Sequence, residues 1–470
     1  MLTGAGGGYV LSDPTLDASG KTVFRWGGLT SGQIVTQAYG SSGWSTTHSL
    51  DNVPSAARNP ATVAGSAGNW TAAAWTATDA GSQLNELWVQ VAGPGMAPTA
   101  LKVSGALNVA LNSARVAVTA DGGVTVIWVE EYQPHVVTGR LVSRHWSAAS
   151  GWGAVVEQET NGGFTARLLL TLADGSSQFF YETEVPAAPR STVTLRARPL
   201  DAAGNLGAPV QLDDPSLGVT TGWGVHAVSA GSDVVAAWLE EPADNLGGFC
   251  LVSRTLHAGS WSAATCVNAA ADTKTLFQPR LVTGSGGQAA MAWFGGHGTF
   301  YEARLQSPGQ WSVPVATGTP STNETGSPQF DLAVCRDGST ALAWHSQAAS
   351  ARVMSATLRS AAGVVGDRLE LGRSADPAEA VRLGVDDACN WTALWSTHGS
   401  SDALYARRVL ASGGLQAATP IAEGITLPSV SLGGSRYFTG RVGLSVEPAG
   451  PAVAVWDEAT GNAIKWRRLQ

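Results

Sequence analysis

The sequence predicts an all-β protein, built as a single large β-propeller of about nine four-stranded blades. A pattern of about ten residues, such as VTADGGVTVIW at residues 118–128, recurs nine times in the 470 residues. The spacing of its copies is close to the length of one propeller blade. Only 14% of the residues are charged, whereas glycine alone contributes 57. This composition favours short strands and tight turns over charge-faced amphipathic helices.

Each copy of the pattern closes on an aromatic residue, and successive aromatics are 49 to 61 residues apart. They are Trp26, Trp75, Trp128, Tyr181, Trp238, Trp293, Trp344, Trp395 and Trp456. Nine copies predict nine blades, with eight as the alternative if a terminal copy is displaced. Separate sandwich domains would have seven or more strands in about 100 residues and no such period.

Each copy divides into four strands, A to D. Strand A ends at a turn such as Asp121-Gly122, where glycine tolerates the positive φ of a tight hairpin. Strand B runs to the aromatic and is apolar on both faces, as in VVAAW at 234–238, which predicts a sheet held between two neighbours. We expect the closing aromatics to form the core. We expect the tryptophans assigned to strand D to close the blades, namely Trp44, Trp146, Trp261 and Trp311.

The predicted domain organisation is a flexible Gly-rich tether at residues 1–8 followed by one propeller at 9–470. The ninth copy supplies only strands A to C. The segment GYVLS at 8–12 would then add the outermost strand to the last blade, which would close the ring and hide an edge.

The four cysteines predict two disulfides. Cys250 and Cys266 are equidistant from residue 258, so a hairpin turning there would set them opposite each other. Cys335 and Cys389 each lie near the A–B turn of consecutive copies, which suggests a bridge between repeats. Paired cysteines indicate an oxidising compartment, and four buried thiols are the alternative.

The N-terminal residues add to this prediction of a periplasmic, outer-membrane-anchored or secreted protein. Leu2-Thr3-Gly4 resembles a bacterial lipoprotein processing site, with Ala5 where the lipidated cysteine would be, so a lipid anchor is one expectation. No run of about 18 apolar residues predicts a transmembrane segment. We expect a monomer.

Basic residues recur at the start of strand A, 12 to 15 residues before the closing aromatic. They are Arg115, Arg167, His226, Arg280, Arg382 and Arg441. In a propeller this position points toward the mouth of the central cavity. Converging guanidiniums suit carboxylates, sulfates or phosphates, because they offer forked hydrogen bonds.

The B–C loops would open on the same face. Their acidic residues are Glu130, Glu131, Glu182, Glu184, Glu240, Glu241, Asp457 and Glu458, and their histidines are His297, His345 and His398. Such groups serve either general acid–base chemistry or polyol binding. The alternative is that each repeated arginine forms a structural ion pair with a glutamate of a neighbouring blade. The strand-C arginines are predicted to be structural, namely Arg140, Arg254, Arg304 and Arg407.

Several function classes are disfavoured. The net charge of -8 argues against a nucleic-acid partner, since that binding needs clustered positive charge. The sequence has no paired metal-ligand spacing, phosphate loop or Gly-x-Ser-x-Gly elbow. We therefore expect neither a cofactor nor a metal.

The segment ADGGVTVIW at 120–128, with Arg-containing strands and GxWS turns, resembles the propeller repeats of secreted bacterial proteins, including sialidase-like ones. Sialidases carry the Asp-box Ser-x-Asp-x-Gly-x-Thr-Trp, whereas TADGGVTVIW and CRDGSTALAW keep Asp-Gly and the aromatic at a different spacing. The resemblance implies that some strand-A arginines imitate the sialidase arginine triad. It assigns no residue to the Tyr-Glu pair or to the acid.

Three functional hypotheses follow. The first is a non-enzymatic envelope or secreted propeller that binds an anionic glycan, a cell-surface polymer or a protein partner at its central mouth. The second is a sialidase-like glycoside hydrolase or a polysaccharide lyase that acts on acidic sugars. The third is a structural scaffold of an envelope complex. The enzyme would need an acid and a base that break the symmetry of the repeat.

Overall fold

The computed structural model describes most residues between 8 and 469. The gaps are 11–14, 17–21, 29–33, 41–42, 45–47, 51–62, 68–69, 80, 97–98, 106, 111–112, 133–137, 173, 186–191, 242–247, 270–278, 296–297, 319–328, 349–350, 375–377, 399–401, 428, 433–434, 439–441 and 459–462. Before residue 67 only the backbone is described. Every regular element in the described part is a β-strand, which confirms the all-β prediction. Within the same residues, no helix is long and apolar enough to span a membrane.

The chain divides into two compact units. One comprises the described residues up to Pro215 with Val219–Val225, and the other comprises Ser216–Gly218 and the residues from His226 onward. The strands of the first unit are β1 (Gly8–Val10), β2 (Thr15–Leu16), β3 (Thr22–Gly28), β4 (Ile34–Gly40), β5 (Gly43–Trp44), β6 (His48–Leu50), β7 (Val63–Ala67), β8 (Trp70–Thr78), β9 (Asn85–Ala92), β10 (Thr99–Lys102), β11 (Asn108–Val109), β12 (Arg115–Val118), β13 (Val124–Glu131), β14 (Gly139–Ser147), β15 (Gly151–Trp152), β16 (Val156–Thr171), β17 (Ser177–Val185), β18 (Thr192–Leu200) and β19 (Val210–Gln211).

The strand β20 (Val219–Ala230) begins in the first unit and ends in the second. The remaining strands are β21 (Asp233–Glu241), β22 (Cys250–His257), β23 (Ser260–Trp261), β24 (Thr265–Cys266), β25 (Arg280–Thr283), β26 (Ala289–Phe294), β27 (Phe300–Ser307), β28 (Gln310–Trp311), β29 (Val315–Gly318), β30 (Phe330–Val334), β31 (Thr340–Ala348), β32 (Ala351–Arg359), β33 (Leu369–Ser374), β34 (Ala378–Val385), β35 (Trp391–Thr397), β36 (Asp402–Val409), β37 (Thr419–Ile425), β38 (Ser429–Leu432), β39 (Ser435–Phe438), β40 (Val442–Val446), β41 (Ala452–Glu458) and β42 (Ala463–Leu469).

The sheets have the four-stranded antiparallel order expected of the repeat. Three of them are uninterrupted meanders, in the orders β7 to β10, β30 to β33 and β34 to β37. In four others two strands share the outermost place: β5 and β6 pair with β4, β15 and β16 with β14, β23 and β24 with β22, and β28 and β29 with β27. This meander is the one that forms a propeller blade.

Two connections between strands differ from a simple succession of sheets. The strand β16 pairs with β14 through its first half and with β17 through its second, so one continuous strand is the D strand of the third copy and the A strand of the fourth. Near the N-terminus, Gly8–Val10 pairs with β3 of the first copy. The prediction that GYVLS completes the last blade is therefore wrong in this structure.

Neighbouring sheets pack through their inner strands. In the first unit β12 contacts both β7 and β16, and in the second β30 contacts β25 and β34, which in turn contacts β40. The second strand of each sheet is buried on both faces, as in β35, where all seven residues are buried. Small alanines at these positions let adjacent sheets approach closely.

The closing aromatics fill the space between sheets, which confirms their predicted core role wherever the side chain is described. Those from Trp75 to Trp456 are at most 5% exposed. Glycines on the outer strands make room for them: an added Cβ would lie 2.6 Å from the ring of Trp344 at Gly318 and 2.7 Å from the ring of Trp395 at Gly372. Trp146 was expected to begin a strand D, but it lies near the end of the third strand, β14.

Both predicted disulfides are confirmed. Cys250 and Cys266 join β22 to β24 with their Cα atoms 5.6 Å apart. They are offset by two residues from direct opposition, because Cys266 pairs with Val252 across the broken outer strand. Cys335 and Cys389 join the first turns of two consecutive sheets, with Cα atoms 5.4 Å apart.

Candidate functional site

Three of the predicted strand-A residues share one structural position. Arg115, Arg280 and Arg382 each pair with the residue that immediately precedes the closing aromatic of their sheet. Arg167 lies at a β-bulge, between Ala166 and Leu168. Counting back from the aromatic therefore identifies equivalent sites on successive inner strands.

In the first unit, two of these arginines line a cavity of about 440 Å³. Its lining residues are Asn85, Asn108, Ala110, Ser113, Arg115, Glu131, Phe164, Thr165, Ala166 and Arg167. The volume lies within the range of small-molecule sites. Charged, amide, hydroxyl and aromatic groups thus meet in one concave surface.

Arg115 is held rigidly in this cavity by backbone carbonyls. Its Nε donates to Arg167 O at 3.0 Å, and its two terminal nitrogens donate to Ala166 O and Ala114 O, each at 2.6 Å. Burial, together with the positive charge of Arg167, lowers the pKa of Arg115 to about 10. The guanidinium remains charged at neutral pH, and the carbonyls fix its orientation before any ligand arrives.

The second arginine is oriented by a carboxylate. Arg167 forms an ion pair with Glu182, which is only 4% exposed. On the opposite wall Asn108 donates to Glu131 at 2.7 Å and accepts the backbone N–H of Asn85 at 2.8 Å. The polar groups of the cavity are therefore positioned by their own hydrogen bonds, which lowers the cost of ordering them around a ligand.

The cavity combines the groups that an acidic sugar requires. Two guanidiniums would receive a carboxylate or ester oxyanion through forked hydrogen bonds. Amide and hydroxyl groups such as those of Asn85 and Thr165 match sugar hydroxyls, and the half-buried ring of Phe164 offers an apolar face. A purely structural ion pair would not need this cavity.

In the second unit the equivalent position on β30 holds an acid, Asp331, which was absent from the sequence-based site. It lies 13 residues before Trp344 and pairs with Ala343, as the arginines do in their own sheets. Its Oδ1 is 3.7 Å from Nε of Arg280. The sequence signal was available, because the same counting rule that found the arginines falls on this aspartate.

Asp331 also ties two sheets together. Its Oδ2 accepts the backbone N–H of Leu383 on β34 at 2.9 Å, and its Oδ1 accepts that of Leu332 at 3.0 Å. Burial raises the pKa of Asp331, although Arg280, Arg382 and both backbone N–H groups oppose this shift. A carboxyl between two arginines is thus the one acid at this register position among the described pairings of the inner strands, where β7 has Val63 and β40 has Gly443.

His226 precedes this group along the inner strands. Burial and the charge of Arg280 lower the pKa of His226, so the imidazole is neutral at pH 7. The second unit therefore brings together His226, Arg280, Asp331 and Arg382, with Arg382 donating to Val381 O at 2.9 Å.

Two of the predicted loop glutamates serve the interior instead of a ligand. Glu130 and Glu240 are both 0% exposed and accept the indole N–H of Trp128 and Trp238 at 3.0 and 2.8 Å. Glu130 also pairs with Arg140 at 2.8 Å. Their prediction as ligand-binding groups is corrected, because full burial leaves no surface for a ligand.

The other loop residues occupy different settings. Glu182 pairs with Arg167, and the half-buried Glu184 and Glu241 lie near the ends of β17 and β21. His345 accepts the backbone N–H of Gln329 at 3.3 Å. The buried ring of His398 lies beside Asp402, with Nδ1 and Oδ1 2.5 Å apart.

Four predicted residues cannot be compared in the same way. Arg441 and His297 lie outside the described residues, and only the backbone of Asp457 and Glu458 is described.

Three of the four strand-C arginines, Arg140, Arg304 and Arg407, are anchored to main-chain carbonyls or buried carboxylates, whereas the buried Nε of Arg254 has no hydrogen-bond partner among the described residues. Arg304 donates to Glu302 at 3.0 Å and to Arg359 O at 2.9 Å, and Arg407 donates to Leu371 O at 2.9 Å. Each bond links one sheet to its neighbour or neutralises a buried acid. For these three arginines this agrees with the predicted structural role.

One group of potential metal-binding side chains occurs among the described residues, formed by Cys335, Asp337 and Cys389. The two sulfurs are joined in a disulfide, so they do not provide thiolate ligands. This group does not fit a metal ion.

No protein family model matches the chain, and no curated protein matches it. Among solved structures the chain is similar to a eukaryotic initiation factor, with 11% identity over 87% of each chain and a TM-score of 0.49. It is also similar to a polysaccharide lyase, an ulvan lyase, with 11% identity over 76% of this chain and 93% of the lyase (TM-score 0.38). A third similarity is to the β-propeller domain of the Trilobed protease from Pyrococcus furiosus, with 8% identity over 77% of this chain and 95% of that domain (TM-score 0.34). At these identities and TM-scores, none of the three assigns a function.

Proposed function

We propose that the protein is a non-enzymatic binding protein of the cell envelope or the extracellular space, and that its first unit takes an acidic oligosaccharide in the cavity lined by Arg115 and Arg167. The observation that carries this proposal is the meeting of two anchored guanidiniums with Asn85, Asn108 and the ring of Phe164 in one cavity. A cell-surface polymer or a protein carrying acidic groups would present the same chemistry.

The compartment and architecture belong to the same proposal. Two disulfides favour an oxidising environment such as the periplasm or the cell surface. The repeated four-stranded meanders favour a single propeller over residues 9–470, with nine copies predicting nine blades. A closed ring of that kind would be a rigid platform for the cavity.

The direct test is calorimetric titration of the wild-type protein with acidic oligosaccharides and with their carboxyl-reduced forms. We expect the acidic form to bind at least about tenfold more tightly, since a charge-assisted hydrogen bond contributes roughly 1.5–3 kcal/mol. In Arg167→Gln this preference should be lost. Arg167→Lys keeps the positive charge but lacks the paired N–H donors of the guanidinium, so it should retain the preference only in part.

Lys102→Gln is the matched control, because Lys102 is a cation of the same unit that pairs with Glu86 and does not line the cavity. It should bind as the wild type does. Failure of the wild type to bind any acidic glycan would favour a scaffold. Equal binding by Arg167→Gln would place the site elsewhere, and appearance of a cleaved product would establish an enzyme.

The second candidate function is a glycoside hydrolase or lyase acting on acidic sugars, and Asp331 is the observation that favours it. The carboxyl of Asp331, which is 13% exposed, lies 3.7 Å from Arg280, and the charge of Arg280 also acts on the neutral His226, so an acid and a base lie beside one guanidinium. Turnover of an acidic polysaccharide by the wild type, lost in Asp331→Asn but retained in Arg167→Lys, would support this candidate. Absence of product with the wild type would exclude it for that substrate.

A further inference from the structure

A second cavity, of about 320 Å³, is lined by four arginines. It lies within the second unit, between the sheet that contains β35, β36 and β37 and the sheet that contains β41 and β42. Its lining residues are Thr392, Ala406, Arg407, Arg408, Gln416, Ala417, Thr419, Gly450, Ala452, Arg467, Arg468 and Leu469. No carboxylate is among these lining residues, although the whole chain carries a net charge of -8. We call this cavity the arginine cleft.

Two of its arginines reach into the gap between sheets from opposite sides. Arg408 on β36 donates to the carbonyl of Gly450, in the turn between β40 and β41, at 2.9 Å. Arg467 on β42 donates in the other direction, to Pro420 O and Ile421 O on β37, at 2.8 and 2.9 Å. The two guanidiniums therefore belong to opposite walls of one cleft.

The repeat shows that this pairing is specific to the last two copies. Arg408 pairs with Thr392, which is three residues before the closing Trp395 of its copy. Arg467 pairs with Ala454, which is two residues before the closing Trp456 of the next copy. The corresponding residue pairs in the other described gaps within a unit are Ala38 and Gln90, Val91 and Arg144, His145 and Arg198, Thr255 and Ala303, Arg304 and Thr357, and Leu358 and Arg407. Only the arginine cleft has two cations at these positions, so the pairing is not required by the packing of the repeat.

The charges of the cleft are only partly neutralised. Arg408 pairs with the buried Asp386, and Arg468 has Nη2 3.9 Å from Glu447. By contrast, the hydrogen bonds of Arg407 and Arg467 in the described part of the chain go to main-chain carbonyls, and Glu370, the carboxylate near Arg407, is already paired with Arg373. Four arginines face two acids, which leaves an excess of about two positive charges.

The anchored guanidiniums keep donors for a ligand. Arg467 uses Nη1 for both of its carbonyl contacts, so its Nε and Nη2 have no hydrogen-bond partner among the described residues. Its side chain is exposed, as are those of Gln416 and Thr419 on the same lining. An anion entering the cleft would meet donors that are already oriented, which reduces the entropy lost on binding.

We propose that the arginine cleft binds a tetrahedral oxyanion, the sulfate or phosphate ester of a saccharide or polymer. A tetrahedral group presents oxygens in several directions, so it accepts forked bonds from guanidiniums on both walls at once, whereas a planar carboxylate suits a single fork. The cleft is independent of the proposed function, because its residues belong to the other unit and share nothing with the cavity of Arg115 and Arg167.

The experiment is titration of the intact protein with inorganic sulfate and inorganic phosphate, followed by a sulfated disaccharide, its unsulfated parent and a phosphorylated sugar. We expect the sulfated or phosphorylated sugar to bind at least about tenfold more tightly than the unsubstituted one. Arg467→Gln should remove this difference. The two esters distinguish the source of the oxyanion.

Arg336→Gln is the matched control, since Arg336 is an exposed arginine of the same unit outside the cleft. It should leave binding unchanged. Arg408→Gln provides a second variant from the opposite wall, and a thermal unfolding midpoint within a few degrees of the wild type shows that each variant is folded. Equal binding of ester and parent sugar by the wild type, or unchanged binding in both folded variants, would overturn the proposal.

The outcomes for the two sites can be separated. Loss of ester binding in Arg467→Gln with unchanged binding of acidic oligosaccharide supports the arginine cleft whatever the result at Arg167. Loss of ester binding in Arg167→Gln but not in Arg467→Gln contradicts the cleft and leaves one site for both ligands.

Discussion

Single residues in this protein take their roles from whether they follow the repeat or depart from it. Arg115 and Asp331 occupy the same register position on their inner strands, yet one binds main-chain carbonyls and the other accepts main-chain N–H groups. The bonds of Arg115 to Arg167 O and Ala166 O, and that of Leu383 N–H to Asp331, cross to the next copy of the repeat. This position therefore has a structural role whether it holds an arginine or an aspartate. Whether the side chain can also bind a ligand depends on which of its polar atoms are exposed in a cavity.

At this scale the titration of His226 is a direct prediction. Its pKa is depressed below the ordinary 6.5 by burial and by the charge of Arg280. The neutral form is favoured in the folded state, so the resulting stability is fully present above pH 6.5 and is lost as the pH falls through the folded-state pKa. Titration of the assigned imidazole resonance by NMR should show a midpoint below 6.5.

The variant Arg280→Gln removes the nearby cation and should move the His226 midpoint upward, toward 6.5, without restoring it fully because burial remains. Arg336→Gln, which removes an exposed arginine of the same unit, should leave the midpoint unchanged. A His226 midpoint at or above 6.5 in the wild type would contradict the buried, positively charged surroundings described here.

At the scale of elements, a glycine on an outer strand and a tryptophan on the next sheet act as one packing unit. Gly318 ends β29, and an added Cβ would lie 2.6 Å from the ring of Trp344, which is 0% exposed. The same relation holds between Gly372 and Trp395. The pairing explains how a large ring fits between sheets that otherwise meet through alanines.

Gly318→Ala should therefore destabilise the second unit by about 1–3 kcal/mol, the usual cost of overpacking a filled interior. The measurement is the denaturant midpoint of the second unit, followed by tryptophan fluorescence. Gly414→Ala is the control, because its added Cβ would meet nothing closer than 3.4 Å in an exposed turn. Equal midpoints for the two variants would show that Trp344 can shift at little cost.

At the scale of the whole molecule, the two disulfides differ in what they connect. Cys250 and Cys266 are 16 residues apart and lie in one sheet, whereas Cys335 and Cys389 are 54 residues apart and join two consecutive sheets. Chain entropy predicts about 3 kcal/mol of stabilisation for the shorter loop and about 4 kcal/mol for the longer. The bridge between sheets should therefore contribute more.

The test compares the unfolding midpoints of Cys250→Ala/Cys266→Ala and Cys335→Ala/Cys389→Ala with that of the oxidised wild type. We expect both variants to unfold earlier, and the second to unfold earlier than the first. The same order should appear when the wild type is reduced under mild conditions and each bridge is followed by mass spectrometry of alkylated cysteines. The opposite order would show that bonds within a sheet matter more than bonds between sheets.

Much of the candidate site follows from counting along the chain. Arg115, Arg280 and Arg382 are each found by counting 13 residues back from the closing aromatic, and the strand pairing places all three at the same register position. This counting rule would also have found Asp331 had acids been considered. The rule could not separate Glu130, buried against Trp128, from Glu131, which lines a cavity, because adjacent residues of a strand point to opposite faces.

The sequence by itself determined the period, the closing aromatics, the meander of short strands and the cysteine pairs, because these depend on local turns and on the alternation of apolar residues. Only the tertiary structure decided which polar groups share a cavity. Arg115 meets the carbonyl of Ala166, and Arg408 meets that of Gly450, across gaps between different copies of the repeat. Contacts of that kind depend on how whole sheets pack, and no local pattern in the chain specifies them.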